Sequence, residues 1–158
     1  MNIRLAEAKD LKEIFNIEVL TFPPAEAASA KSFDYRFEHF PEYLFVAEED
    51  GIIKAIVSGR PVNSQVMDDD MYENAPYPAG DTFAILSVAT NPKFQKQGIA
   101  SALIEHAKIA SKNMGFKHMI LACKENKRDF YKGFGFYELS ISNSTHGGAV
   151  WYDMKLDL

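Results

Sequence analysis

The sequence has little cysteine and no long apolar run, and each scarcity excludes a class of protein. Cys123 is the only cysteine among the 158 residues, so no intramolecular disulfide can form. No stretch approaches the roughly 18 consecutive apolar residues of a membrane-spanning helix, and the first residues lack the basic-then-apolar order of a signal peptide. We therefore expect a cytoplasmic protein with no membrane partner, in which Cys123 is a small core residue and not a catalytic thiol.

Positive charge is also scarce in this chain. It carries 17 Lys and Arg residues against 22 Asp and Glu, a net charge of −5, whereas nucleic-acid binding requires a basic face. We therefore expect no nucleic-acid partner. At 158 residues, of which 47% are hydrophobic, the chain has the length and composition of one globular domain with its own core. We expect a single domain over residues 1–158.

Apolar periodicity and turn residues predict an alternation of strands and helices. The predicted strands cover residues 2–6, 43–47, 52–58, 82–90, 118–123, 136–141 and 149–156. The predicted helices cover residues 10–21, 27 or 29 to 40, and 98–113, with a short helix near 129. Asp10 followed by Glu13 is typical of a capping box, and Asp50-Gly51 is typical of a hairpin. This order predicts an α/β fold with a mixed, mostly antiparallel central sheet and helices on both faces.

The segment Gln95-Lys96-Gln97-Gly98-Ile99-Ala100 lies between a predicted buried strand and a predicted helix. A turn that leads into a helix directs unpaired backbone N–H groups outward, and the helix dipole adds partial positive charge there. A phosphate or pyrophosphate fits such a concavity, and Gly98 lets an anion approach without a Cβ in the way. On this pattern alone, a strand-to-helix turn with a packing glycine is the simpler interpretation.

A second motif, Asp129-Phe130-Tyr131-Lys132-Gly133-Phe134-Gly135-Phe136, follows about thirty residues later. Together the two motifs resemble those of the Gcn5-related N-acetyltransferases. The acyl-CoA loop of that family reads Gln/Arg-x-x-Gly-x-Gly/Ala, and its late helix ends in Phe-Tyr-x-x-x-Gly-Phe. The residues from Val88 to Phe94 are similar to the strand that leads into the loop, and the likeness extends over most of the chain. It is nearest to the arylalkylamine-acetyltransferase-like branch.

The resemblance implies acetyl-CoA as the acyl donor, no metal, and two central strands that splay apart where the acyl-CoA binds. With the helix-terminus geometry, it places the pyrophosphate on backbone amides from Lys96 to Ser101, and the pantetheine arm along Val88 and Thr90. The implied donor-binding residues are Val88, Ala89, Thr90, Gln95, Lys96, Gln97, Gly98, Ile99, Ala100 and Ser101.

The same correspondence gives two residues a direct part in catalysis. The Val88 N–H faces the thioester oxygen, where a fixed donor can lower the barrier by about 3 to 4 kcal/mol. Tyr131 is the general acid that protonates the departing thiolate. Without the motif, Val88 would be an ordinary core valine and Tyr131 an aromatic core residue beside Phe130.

The general base is the point where this chain departs from the resembled branch. Two histidines on the strand before the phosphate loop assist amine deprotonation there, and the corresponding positions here are Ala84 and Leu86. His146 is the first candidate in their place, because an imidazole titrates near neutral pH; a solvated loop histidine is the alternative interpretation. The remaining options are proton loss to solvent and the acidic residues Asp68, Asp69, Asp70 and Glu73.

The acceptor predicted from the resemblance is a small primary amine that attacks acetyl-CoA directly in a ternary complex. The connection between the first two helices shapes the acceptor pocket in the resembled branch, although a rigid interhelical turn explains its prolines equally. The irregular segment from residue 61 to 81 is long for a compact domain, and such loops are usually functional or mobile. The expected acceptor-binding residues are Phe22, Pro24, Glu26, Asp70 and Tyr72.

Two other functions and the oligomeric state stay open. The missing histidines motivate an acyl-CoA-binding sensor or regulatory module without turnover. The acidic segment 67–73 motivates a protein or peptide amine as the acceptor. A homodimer is expected if the aromatic residues Phe33, Tyr35 and Phe37 are exposed.

Overall fold

The computed structural model describes all 158 residues and centres on a seven-stranded sheet. The strands are β1 (Asn2–Leu5), β2 (Leu44–Glu49), β3 (Ile52–Val62), β4 (Thr82–Thr90), β5 (His118–Cys123), β6 (Tyr137–Ile141) and β7 (Tyr152–Asp157). Their order in the sheet is β1-β2-β3-β4-β5-β7-β6, and β4 with β5 is the one parallel pair. The predicted mixed, mostly antiparallel sheet is confirmed.

Four helices cover the sheet: α1 (Leu11–Thr21), α2 (Ala30–His39), α3 (Ile99–Asn113) and α4 (Arg128–Lys132). Alternate residues of β2 enter different cores, since Phe45 packs with α3 and α4 while Val46 packs with α1 and α2. Burying a side chain of this size contributes about 1.5 to 3 kcal/mol, so both faces stabilise the fold. None of the helices has the length and apolar character that crossing a membrane requires.

The segment from residue 63 to 81 packs firmly on the same face as α1 and α2. Met67 and Met71 are fully buried there, beside Ala84 of β4 and Ile120 of β5. Arg60 of β3 holds the segment by donating hydrogen bonds of 3.0 to 3.3 Å to the carbonyls of residues 71, 73 and 75. The predicted irregular segment therefore has a fixed place in the core.

Most predicted bounds agree with the structure within a few residues, but several expectations are wrong. Asp10 is not paired with Glu13 in a capping box; it accepts a hydrogen bond of 2.8 Å from the Glu7 N–H and closes the turn before α1. The last strand begins three residues later than predicted, because its pairing with β5 and β6 begins only at Tyr152. The apolar spacing of α3 extends to Met114, yet this side chain is 43% exposed because α3 ends at Asn113.

The two central strands part after three residue pairs. β4 and β5 pair at Thr82 with His118, Phe83 with Met119 and Ala84 with Ile120, and not beyond. On the other side of β4 the register shifts, so that Leu86 is an extra residue. Such a β-bulge bends the strand that carries it. The bend and the missing pairs leave a gap between the C-terminal halves of β4 and β5.

Gly59 of β3 lies opposite this bulge. A Cβ at Gly59 would lie 2.4 Å from the Phe83 ring and 2.7 Å from the Ala84 carbonyl oxygen. No other residue fits there without a backbone shift, so the sequence at position 59 is tied to the shape of the gap.

Candidate active site

The gap between β4 and β5 widens into a cavity of about 850 Å³. Residues from α1, the α1–α2 connection, β4, β5, α4, the start of α3 and the segment before β7 line it. Thirteen of the predicted site residues are among them: Phe22, Glu26, Tyr72, Val88, Thr90, Gln95, Lys96, Gly98, Ile99, Ala100, Ser101, Tyr131 and His146. The structure thus brings most of the predicted residues to one place.

Four predicted site residues have side chains outside the cavity. Ala89 alternates with Val88 and Thr90 along β4, and its methyl group packs in the core beneath α1 and α2. Gln97 is exposed on the outside of its loop. Pro24 is exposed, and its neighbour Pro23 lines the cavity instead. Asp70 is exposed in a helical turn that directs Tyr72 inward.

The loop before α3 has a backbone suited to an anion. Lys96 has a φ of 63° and Gly98 a φ of 78°, and the left-handed conformation at Lys96 is uncommon for a residue with a side chain. Gly98 is the N-cap of α3 and no side chain caps the helix. The backbone N–H groups of residues 96–101 donate to no acceptor within the protein. These groups fit a pyrophosphate at the helix N-terminus.

Tyr131 combines a buried ring with a hydroxyl that has no partner. Its ring meets Phe130 and Phe136 edge to face, with centroids 5.1 and 5.9 Å apart. Its hydroxyl makes no hydrogen bond within the protein, and the residue lines the cavity. Burial raises its pKa well above the ordinary value, and Cys123 and Tyr72 raise it further. The phenol therefore stays protonated and is available to donate.

Cys123 also lines the cavity, at the end of β5. Its side chain is buried, and burial raises the pKa of the thiol to about 11. The thiolate is the nucleophilic form of cysteine. This thiol is therefore kept in its unreactive state, as expected for a core residue.

His146 is held by contacts on two sides. Its Nε2 lies 2.7 Å from the Glu26 carbonyl oxygen, and its ring stacks on Tyr72 with centroids 4.8 Å apart. A carbonyl oxygen only accepts, so Nε2 carries a hydrogen. Nδ1 is then the one ring nitrogen left to accept a proton.

Two segments meet over one end of the cavity. We call them the cover: the connection 22–29 between α1 and α2, and the segment 142–149. Lys124 holds the first segment, with its Nζ 2.8 and 2.9 Å from the two carboxylate oxygens of Glu26. Gly147 of the second segment packs so closely that a Cβ there would lie 2.5 Å from Glu26 Cγ. This end of the cavity is therefore closed by protein.

The acidic residues 68 and 69, considered above as bases, are occupied in structural contacts. Asp69 accepts hydrogen bonds from the Ser144 hydroxyl at 2.5 Å and from the Thr145 N–H at 3.2 Å. Asp68 accepts one from the Tyr77 hydroxyl at 2.6 Å. These bonds tie the segment 63–81 to itself and to the cover.

Sequence reasoning missed a buried charged pair in the cavity wall. Glu18 of α1 and Arg36 of α2 are 2% and 3% exposed and line the cavity. Glu18 Oε2 accepts from the Ala28 N–H at 2.8 Å and from the Ser87 hydroxyl at 3.4 Å, while Arg36 Nη1 donates to the Ser87 hydroxyl oxygen at 3.2 Å. Glu18 Oε1 is buried without a partner. Charged residues on the apolar face of two helices were the signal in the sequence.

The burial of Glu18 and Arg36 shifts the pKa values of both side chains. Burial lowers the pKa of Arg36 to about 10, opposed by the nearby Glu18. Burial raises the pKa of Glu18, opposed mainly by the Ala28 N–H and by Arg36. The guanidinium thus stays charged at neutral pH and supports the carboxylate. No group of three or more His, Cys, Asp or Glu side chains that could hold a metal ion is present.

A model of the acetyltransferase (GNAT) family matches residues 11–136, a range that includes the α3 loop and Tyr131. Among curated proteins, the probable hydrolase YhcX of Bacillus subtilis is 28% identical over 130 residues. That match covers 77% of this chain and 25% of YhcX, so the chain spans about a quarter of the length of this relative.

Solved structures share the fold at low sequence identity. GphF, a GNAT-like decarboxylase in complex with isobutyryl-CoA, matches with a TM-score of 0.85 and 15% identity over 99% of both chains. The ribosomal-protein-S18-alanine N-acetyltransferase from Escherichia coli matches with a TM-score of 0.75 and 21% identity, over 99% of this chain and 92% of that one. At these identities the likeness shows the fold alone.

Proposed function

The chain belongs to the acetyltransferase (GNAT) family, and on that premise we propose that it transfers an acetyl group from acetyl-CoA to a small primary amine. The amine attacks the thioester directly while both substrates are bound. The family model supports acyl transfer from an acyl-CoA. The proposal adds three specific points to this: the acyl group is acetyl, the acceptor is a small amine, and the branch is the arylalkylamine-like one.

The observation that carries this proposal is the set of groups that line one continuous cavity. Unpaired N–H groups at the start of α3 line one part of it, and the unbonded hydroxyl of Tyr131 lines another. The cover closes the part that remains. An anion site, a proton donor and an enclosed acceptor space are the three parts that acetyl transfer from acetyl-CoA requires.

The donor substrate would be held largely by backbone groups. Residues 96–101 present N–H groups to the pyrophosphate, whose charge the α3 dipole favours. Beyond Ala84, the edge of β4 that faces β5 has no strand partner. Amides of the pantetheine arm can pair with that edge as an added strand does, beside Val88 and Thr90. Ala89 and Gln97 take part through their backbone, since their side chains lie elsewhere.

The chemical step uses Val88 and Tyr131. The amine lone pair forms a bond to the thioester carbon, and the Val88 N–H donates to the carbonyl oxygen as negative charge develops there. The C–S bond then breaks, and the Tyr131 hydroxyl gives its proton to the sulfur. A phenol with a raised pKa is a weak acid, so the transfer accompanies bond breaking and does not precede it.

The closed acceptor end supports a small amine over a protein substrate. The amine of a protein needs an open path for the rest of its chain, whereas Glu26 contacts Gly147 across the two segments of the cover and Lys124 at the end of β5. The aromatic side chains of Phe22, Tyr72 and Trp151 line this part of the cavity. An amine with an aromatic body fits such a lining.

Thiol release from acetyl-CoA, measured with separate pools of acceptors, tests this function. The pools are arylalkylamines, polyamines, amino sugars and short basic peptides, and acetyl-CoA binding is measured in parallel. We expect amine-dependent release with the arylalkylamine pool and none with the peptides. Release with the peptides alone would indicate that the acceptor is a protein amine. Binding of acetyl-CoA without release in any pool would favour a sensor.

A further inference from the structure

Glu18 is the one acidic side chain in the cavity wall with a buried oxygen that has neither a hydrogen bond nor an ion pair. Glu26 also lines the cavity, but both of its carboxylate oxygens lie within 2.9 Å of Lys124 Nζ. Glu18 Oε2 is bound to Ala28 and Ser87, and Oε1 is buried without a partner. A buried, unpaired carboxylate oxygen is costly, so a native structure that keeps one requires an explanation.

The position of Glu18 supplies that explanation. Ser87, which binds the Glu18 carboxylate, directly precedes Val88 on β4. Ala28, the other partner of Oε2, belongs to the cover. The carboxylate therefore lies between the residue proposed to hold the thioester oxygen and the segment proposed to enclose the acceptor.

We propose that Glu18 binds the ammonium group of the acceptor through Oε1 and removes its first proton. This inference rests on the proposed function. It assigns the general base to a residue on α1 and makes His146 a support for the cover. The acceptor class it selects is a cationic primary amine whose apolar body fits beneath the cover.

The proton transfers balance over one turnover. The ammonium gives one proton to the Glu18 carboxylate, and the free amine forms the N–C bond while the C–S bond breaks. The sulfur takes the Tyr131 proton, and the second proton lost by nitrogen on forming the amide restores Tyr131. Glu18 returns its proton to solvent. One proton is released in total, as acetylation of an ammonium requires.

The charged groups around Glu18 determine the pH at which it works. Arg36 faces it from α2, and His146 contributes from the segment before β7; Ser87 bonds to it from β4. Burial raises the pKa of Glu18 above its ordinary 4.5. The active carboxylate form is therefore lost as the pH falls through this raised pKa, which gives the rate an acidic limb.

Binding of 2-phenylethylamine and 2-phenylethanol tests the ammonium site without any need for turnover. Each is titrated calorimetrically into protein saturated with CoA, using wild type, Glu18→Gln and Glu13→Gln as a matched change on the same helix. We expect wild type and Glu13→Gln to prefer the amine by at least about tenfold, and Glu18→Gln to lose that preference. Equal affinities in wild type, or an unchanged preference in Glu18→Gln, would overturn the proposal.

The pH dependence of acetylation tests the proton transfer. Glu18→Gln should lower kcat/KM by about 10²-fold and remove the acidic limb. Ser87→Ala should retain the limb and shift it to higher pH, because the lost hydrogen bond had lowered the pKa of Glu18. An unchanged acidic limb in Glu18→Gln would contradict the role as base.

These experiments distinguish failure of the proposed role of Glu18 from failure of the proposed acetyltransferase function. If the amine preference depends on Glu18 while wild type releases no thiol, the ammonium site stands and the acetyltransferase function fails. If thiol release is strong and Glu18→Gln matches wild type, the function stands and the role of Glu18 fails. Acetyl-CoA affinity and thermal unfolding of each variant establish that it is folded.

Discussion

Gly147 packs directly on Glu26: a Cβ at position 147 would lie 2.5 Å from Glu26 Cγ and 2.9 Å from the Ala25 carbonyl oxygen. Gly147 also has a φ of 64°, in the left-handed region. The contact closes the cover above the acceptor end of the cavity. Its geometry allows neither a side chain nor an ordinary backbone conformation at this position, so it is a sensitive point of the site.

Gly147→Ala should open the cover and destabilise the protein. The left-handed conformation alone costs a non-glycine residue about 1 to 2 kcal/mol, and the overlap with Glu26 and Ala25 adds to that cost. The KM for the acceptor amine should rise while acetyl-CoA affinity stays the same, because Gly147 contacts Glu26 and Ala25 and not the α3 loop. Urea unfolding and steady-state kinetics measure the two effects.

Gly148→Ala is the control for this change. Gly148 has a φ of 74°, and a Cβ there would meet nothing within 4 Å. It should therefore show the conformational cost without the overlap, and little change in KM. If the two variants lost equal stability and had equal KM values, the contact of Gly147 with Glu26 and Ala25 could not be the cause of the effects.

Gly98→Ala should weaken donor binding in addition to the stability that any side chain loses in its left-handed backbone conformation. A Cβ at Gly98 would meet no protein atom within 4 Å, so it would occupy the space that we assign to the pyrophosphate. We expect the affinity for acetyl-CoA to fall by at least about tenfold, or about 1.4 kcal/mol. Calorimetric titration with acetyl-CoA measures the loss.

Gly51→Ala is the matched control for Gly98→Ala. Gly51 has nearly the same φ, 77° against 78°, and equally open surroundings, but it lies in the β2–β3 hairpin. Both variants should lose similar stability, and only Gly98→Ala should lose acetyl-CoA affinity. Wild-type affinity for acetyl-CoA in Gly98→Ala would show that the α3 loop does not bind the pyrophosphate.

Cys123 should react slowly with alkylating agents at neutral and mildly alkaline pH. Burial raises its pKa to about 11, so the thiolate forms only as the pH approaches that value. At pH about 8, iodoacetamide should modify the folded protein at least about 100-fold more slowly than the urea-unfolded chain, whose thiol titrates near 8.5. Bound acetyl-CoA should slow it further. Equal rates for folded and unfolded protein would show that the thiol is not protected.

Local patterns in the sequence predicted the elements that depend on local geometry. The β5 bounds agree with the prediction, and Ser29 caps α2 by accepting from the Ser32 N–H at 3.1 Å. Gly98 is the N-cap of α3, within one residue of the predicted start of that helix. These features follow from residues a few positions apart.

The predicted end of β3 at Ser58 was too early, because a proline such as Pro61 usually ends a strand. Proline has no N–H and is confined to strand edges. β2 pairs with β3 only as far as Ser58, so residues 59–62 have β4 on one side and no strand on the other. Pro61 lies on that free edge, where the missing N–H is tolerated. Only the sheet order explains this.

The charged pair of the cavity wall was missed for a similar reason. Glu18 and Arg36 lie on different helices, and Ser87, on β4, joins them. A helical pattern shows that each is on an inward face, but not that the two faces meet. A homodimer was expected only if the aromatic residues of α2 were exposed, and Phe33 is buried while Tyr35 and Phe37 are half-buried. A homodimer therefore has no support from these residues.

The most direct test of the central claim is the rate of amine-dependent thiol release by Tyr131→Phe, with Tyr137→Phe as control. Tyr137 lies on β6, where its hydroxyl contacts Asp157 outside the cavity. If Tyr131 is the general acid, kcat falls by about 10²-fold in Tyr131→Phe and acetyl-CoA affinity changes by less than about twofold, while Tyr137→Phe keeps wild-type turnover. Full turnover in Tyr131→Phe would contradict the account.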